Sequence, residues 1–162
     1  MGDMRDRDES GRPRNARPRD AYGRPLPHGA TGVPTMPDDL SVTPVEALEH
    51  AQRLLDADRP FHAHEVLEAA WKEAPEAERE LWRGLAQVAV GVTHVRRGNA
   101  RGARALLERA ADRIEPYAHD APYSIDITGI AAEARRVADN AAEGIDPDMP
   151  VRIQLTHRPS TP

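Results

Sequence analysis

Apolar side chains fall into helical periods from residue 43 onward and into no regular period before it. Thr43-Pro44-Val45-Glu46 has the residues of a capping box, with Thr at the N-cap, Pro at the first helical position and Glu at the third. It opens a first helix that runs to about Asp58, with Val45, Leu48, Ala51, Leu54 and Leu55 as its apolar stripe. The break Asp58-Arg59-Pro60 starts a second helix that ends near Ala74 at Pro75. A third spans roughly Glu76 to Arg97 and stops at Gly98, and a fourth runs from Asn99, a suitable N-cap, to Glu115 before Pro116. A fifth covers about Asp126 to Glu143, ended by Gly144. Beyond it, Val151-Arg152-Ile153-Gln154-Leu155 alternates like a short extended segment laid on the helices, and no second strand is visible to pair with it.

The third helix carries the strongest pattern. From Gly84 to Val95 it has no formally charged side chain, and its apolar residues go round every side. Such a helix has to be covered by neighbours all round, and it is too short to span a membrane, so it should be the centre of a bundle. Gln87, Thr93 and His94 are then polar groups in a crowded place that need partners. Gln87 and His94 lie within about 20° of each other on the helix wheel, away from the stripe of Leu81, Leu85, Val88 and Val92. On the second helix Ala63, Leu67, Ala70 and Ala74 define the apolar line and Trp71 extends it. His64 and Glu68, four residues apart, sit on its margin, with Glu65 further round. A short turn at Pro75 could bring His64, Glu65 and Glu68 opposite Gln87 and His94.

The helices also carry a repeat. Ala63, Leu67, Ala70 and Pro75 recur as Ala103, Leu107, Ala110 and Pro116, and Ala51 matches Gly91 forty positions on. The second unit resembles a tetratricopeptide repeat in the order Gly91, His94, Gly98, Ala103, Leu107, Ala110, Pro116, although His94 replaces the usual aromatic and Pro116 stands one place late. The expected fold is all-α, a compact five-helix bundle of antiparallel hairpins with a central buried helix and tetratricopeptide-like packing.

Composition divides the chain. Of 162 residues with 15 Pro, 11 Gly and no Cys, residues 1–42 hold six prolines, five glycines and a single aromatic, Tyr22. That stretch reads as a disordered Pro/Gly/Arg-rich tail, residues 43–144 as one helical domain, and 145–162 as an extended C-terminal tail. The absence of Cys excludes a disulfide scaffold, a Cys-based zinc site and a thiol enzyme. The net charge of −5 lies wholly in residues 43–144, where 18 acidic groups face 13 basic ones, each tail being neutral by formal count. An acidic domain argues against nucleic acid as a partner. No apolar run is long enough for a membrane span, and the Arg-rich start lacks the apolar core of a signal, so the expected location is the cytoplasm.

Phe61-His62-Ala63-His64-Glu65-Val66-Leu67-Glu68-Ala69-Ala70-Trp71, then Gly84-Leu85-Ala86-Gln87, His94, Gly98-Asn99 and Gly102-Ala103 together resemble the bacterial, archaeal and plastid family called domain of unknown function 309. The likeness covers about residues 60–117, with Ile125-Asp126 as a further match. It implies a compact all-α domain, no established activity, and His64, Glu65, Glu68, Trp71, Gln87 and His94 as the family-type polar and aromatic set.

That set is the candidate ligand-binding cluster, and three readings compete for it. Two His and two Glu could hold a metal, but the helical signatures His-Glu-x-x-His and paired Glu-x-x-His are missing, so no metal ligand and no cofactor is assigned. Metal-free acid–base chemistry could use a Glu beside His64 or His94. The bland reading is an internal network that fixes helix register, with function on a surface that binds a protein segment or a small ligand. A non-enzymatic binding module is the favoured function, and a small enzyme or metal-binding protein using the cluster is the alternative. Nucleophilic catalysis lacks a Gly-x-Ser-x-Gly motif, and phosphate-loop and dinucleotide fingerprints are absent. Arg96, Arg97, Arg101, Arg104, Arg109 and Arg113 could contact an anion, but partners such as Glu108 and Asp112 favour a solvated face.

Overall fold

The computed structural model describes residues 43–157; the expected disordered tail at 1–42 and the last five residues lie outside them. Five α-helices follow one another: α1 (Pro44–Asp56), α2 (Pro60–Glu73), α3 (Arg79–Arg96), α4 (Ala100–Ile114) and α5 (Ile127–Ala142). Among the described residues there is no β-strand, only one isolated antiparallel bridge between Ile125 and Thr156. The helix ends follow the caps in the sequence. Thr43 and Glu46 form the reciprocal capping box at 3.1 and 3.2 Å, Asn99 Oδ1 accepts the Gly102 N–H at 3.0 Å, and Asp126 Oδ1 accepts the Gly129 N–H at 3.1 Å. α3 begins later than its apolar pattern suggests, because Glu76–Glu78 after Pro75 form a 3-10 turn before the α-helix starts.

Each helix packs on its neighbour in sequence: α1 on α2, α2 on α3, α3 on α4 and α4 on α5. Two helices therefore cover α3 from either side. Within the uncharged run Gly84–Val95 every residue is buried except Gln87, Val90 and His94, which are half-buried and share one line of the helix. α3 approaches α4 closely through its glycines. A Cβ on Gly84 would collide with Ile114 Cγ2, and one on Gly91 would stand 2.5 Å from Leu107 Cδ2. At the other end a Cβ on Gly102 would meet His94 Nδ1 at 3.1 Å. The start of α3 thus lies against the end of α4, and the end of α3 against the start of α4.

The segment after α5 contributes to the core. Met149, Ile153 and Leu155 are buried and Val151 packs beside them, whereas Pro150 and Arg152 are exposed. The extended alternation therefore has a physical partner. The Asp126 N–H donates to Leu155 O and the His157 N–H to Ser124 O, both at 2.9 Å, around the Ile125–Thr156 bridge. Val45 departs from the α1 stripe: it is 51% exposed while Ala47, Leu48 and Ala51 are buried.

Because Leu107 is fully enclosed opposite Gly91, larger side chains there overpack the α3–α4 contact. Gly91→Val should lower the unfolding free energy by roughly 1–3 kcal/mol. Urea titration followed by circular dichroism checks this, and an unchanged midpoint would show that α4 stands further off.

Candidate functional site

The candidate residues occupy α2 and α3, and the structure joins them in local pairs. On α2 the four-residue spacing puts His64 and Glu68 on adjacent turns, with His64 Nε2 at 2.7 Å from Glu68 Oε2. Lys72, one further turn on, stands 3.6 Å from the other carboxylate oxygen. The hydrogen bond from His64 is the largest influence on Glu68 and holds its carboxyl below the usual range against the opposing effect of burial. The Phe61 ring lies 5.5 Å from the His64 ring and edge-on to the buried His62 at 5.9 Å. His64 Nδ1 is enclosed and makes no hydrogen bond among the described residues. Glu65 is half-buried on the same helix. Trp71, also half-buried, has the Arg79 guanidinium 5.8 Å from its ring centre, a cation–π arrangement that ties the end of α2 to the start of α3.

Gln87 and His94 bond on the α4 side. Gln87 Oε1 accepts the Arg113 Nε–H at 3.0 Å, and Arg113 also donates to Glu80, one of the α3 residues on the same exposed line. His94 Nδ1 stands 3.1 Å from Asn99 Nδ2. The orientation of the Asn99 amide follows from its cap, since its oxygen already accepts the Gly102 N–H. Its nitrogen therefore donates, His94 Nδ1 is the bare acceptor, and the neutral ring carries its proton on Nε2. Burial, with Arg97 as the lesser cause, lowers the pKa of His94 from the ordinary histidine value and agrees with that neutral form. Among the described residues no group of three or more His, Asp or Glu is placed to hold a metal ion.

The Arg series is likewise divided. Arg104 pairs with Glu108 at 3.4 Å on the α4 surface, and Arg113 belongs to the Gln87 and Glu80 network. Arg96, only 10% exposed, turns inward: its Nε lies 2.7 Å from Asp58 Oδ1, and Nη1 donates to Pro147 O at 2.9 Å and Met149 O at 2.7 Å. The sequence carried a signal for this, because Arg96 follows Leu85, Val88 and Val92 along the inward stripe of α3.

A second place was not foreseen. A cleft of about 400 Å³ lies between the outer face of α1, from Val45 through Glu49 to Arg53, and the segments holding Tyr123 and His157. Among the described residues the exposed large hydrophobic side chains are Val45 and Tyr123, and both line it. Tyr123 and Ser124 both have left-handed backbones, φ 57° and 59°, a strained state for side-chain-bearing residues. Glu78 holds Tyr123 there: its carboxylate accepts the Tyr123 hydroxyl and the buried Trp82 Nε1–H, each at 3.1 Å.

Comparison with known proteins covers the middle of this chain. Residues 48–106 match the model of the family described as "Domain of unknown function (DUF309)". The family likeness read from the motifs is thereby shown for this segment. "Uncharacterized protein YpuF" of Bacillus subtilis (strain 168) is 46% identical over 48 residues, 29% of this chain and 28% of that relative's length. No solved structure matches the chain. The matched segment holds all six candidate residues, whereas Arg113, Tyr123 and the C-terminal segment lie beyond it. No described helix is long and apolar enough to cross a membrane.

Two pH effects follow. Glu68 is more acidic folded than unfolded, so its pairing stabilises the fold above the unfolded carboxylate pKa and ceases to do so as pH falls through the lower folded value. Glu68→Gln should therefore lower the melting temperature at pH 7, and the difference from the parent should vanish in acid; a gap that persists in acid would assign the loss to packing. His94 binds its proton less readily folded than unfolded, so its contribution is present at neutral pH and declines as pH falls from the unfolded histidine value toward the lower folded one. An NMR titration should give His94 a midpoint below the ordinary histidine range, and a normal or raised midpoint would contradict the half-buried neutral ring.

Proposed function

We propose that this protein is a non-enzymatic helical module that binds a protein segment or a small ligand. The observation that carries this reading is the cleft beside α1, where Val45 and Tyr123 leave apolar surface open next to a strained turn. Concave, mostly apolar surface with a few polar groups that can orient a ligand is the usual form of a ligand site, and Glu49, Gln52, Arg53 and His157 are among the lining residues here. The hydrogen bonding of the polar set supports the same choice. His64 pairs with Glu68, Gln87 with Arg113 and His94 with Asn99, which gives each a helix-fixing role.

We further propose that α1–α2 and α3–α4 are two antiparallel hairpins related to tetratricopeptide units. The buried Ala63 and Leu67 correspond to the buried Ala103 and Leu107, and the enclosed Ala51 to Gly91. The end-to-start contacts of α3 with α4 have the sense that such a hairpin requires. The alternative, a small enzyme or metal-binding protein using His64, Glu65, Glu68, Gln87 and His94, draws its support from the enclosed His64 Nδ1 beside a short His–Glu contact.

The test is amide NMR of the full chain against a set of aromatic and aliphatic carboxylates, amines and tripeptides. Perturbations should centre on Val45, Gln52, Tyr123 and His157, and His64→Gln should lower stability without moving them. Perturbations centred on His64, Glu68 and Trp71, abolished by His64→Gln at unchanged stability, would place the site on α2 and contradict the proposal.

A further inference from the structure

The C-terminal segment is held by helix side chains that bond its main chain. Four side chains from three helices reach its main chain. Gln52 of α1 works like a short stretch of strand, its Nε2 donating to Ile153 O at 2.9 Å and its Oε1 accepting the Leu155 N–H at 2.8 Å. Arg96 of α3 donates to Pro147 O and Met149 O. On α5, Glu133 accepts the Arg152 N–H at 2.7 Å, and Arg136, paired with Glu133 at 2.6 Å, donates to Pro150 O at 3.0 Å. These contacts fix an extended backbone and are indifferent to the side chains it carries. Selection comes from alternate positions, where Met149, Val151, Ile153 and Leu155 turn toward the core and Pro150 and Arg152 stay outside. Main-chain hydrogen bonds with pockets for every second side chain are the means by which proteins bind extended peptides.

The connection to α5 is slight. Glu143 and Gly144 are exposed, Gly144 has φ 120°, and Asp146 to Asp148 form an exposed turn closed by the Asp148 N–H on Asp146 Oδ1 at 2.9 Å. Between them Ile145 is half-buried against the core and anchors the start of the segment.

We propose that the groove formed by α1, α3 and α5 is a binding site for an extended protein segment with aliphatic side chains at alternate positions, and that residues 147–155 fill it as a tethered internal ligand. The segment must open for a partner of the same chemistry to enter, so the tether sets the threshold for binding. This site goes beyond the cleft beside Tyr123, which it adjoins at Gln52 and Thr156. The fragment measurements concern the intact chain and the following ones a severed chain, so either proposal can fail alone.

The experiment inserts a protease recognition sequence between Gly144 and Ile145 of the full chain and cuts it, both pieces being kept. A fluorescein-labelled peptide of the sequence of residues 147–157 is then added. It should displace the severed segment and saturate at one peptide per chain by anisotropy, while circular dichroism stays helical. The same peptide with Ile153→Glu and Leu155→Glu should bind at least about tenfold more weakly, as expected for two apolar groups kept out of their pockets. Gln52→Leu in the cut chain should weaken binding of the parent peptide. The uncut chain should bind it far less, because a short tether presents the internal segment at an effective concentration on the order of millimolar. A cut chain that stays helical and does not take up the peptide would overturn the proposal. So would loss of helical structure on release of the segment, which would make residues 147–155 an inseparable part of the core.

Discussion

The rest of the structure depends on the covering of α3. Its run from Gly84 to Val95 has no charge to present to water, and a helix apolar on every side is stable only when neighbours enclose it. α2 and α4 do so from two sides, and Gly84 and Gly91 let α4 come close enough for Ile114 and Leu107 to fill the space where Cβ atoms would stand. Only one line, Gln87, Val90 and His94, keeps partial contact with solvent. The polar residues of that line are satisfied across the α3–α4 contact and its turn, by Arg113 and Asn99. At the C-terminal end of α3, Arg96 carries the same ordering outward to the α1–α2 turn at Asp58 and to the main chain at Pro147 and Met149.

Much of this was legible in the sequence because short-range rules govern it. Thr43 and Asn99 cap where their spacing places them, Pro60 opens α2, and the uncharged run marks the enclosed helix. Long-range choices were less visible. The alternation at 151–155 showed an extended segment but not its company, because it is joined by a two-residue bridge and by side chains such as Gln52, which leave no strand pattern to find. Val45 belongs to the apolar stripe of α1 by spacing, yet it faces the cleft, since periodicity assigns a face without saying what covers its edge.

The candidate site divides in the same manner. Helical spacing correctly put His64 and Glu68 within reach of each other, a local matter. Which neighbours Gln87 and His94 bond depends on how α3 is turned, and both find partners on the α4 side, in Arg113 and Asn99. Arg113 could be seen as a cation on α4 but not as the partner of Gln87, because the two are 26 positions apart and related only through packing. Tyr123 owes its position to Glu78, 45 residues earlier, and to a left-handed backbone that no residue preference announces.

On the reading proposed above, these polar residues act as separate helix-fixing pairs. A double-mutant cycle measures this directly, since residues that share a network deviate from additivity and independent ones add within about 0.3–0.5 kcal/mol. Unfolding free energies of Gln87→Leu, Arg113→Met and His64→Gln, singly and in pairs, give two couplings. Gln87 and Arg113 should couple by more than about 0.5 kcal/mol, and Gln87 and His64 should be additive. A strong coupling between Gln87 and His64, with additivity toward Arg113, would mean that the cluster works as one site between α2 and α3 and would contradict the account.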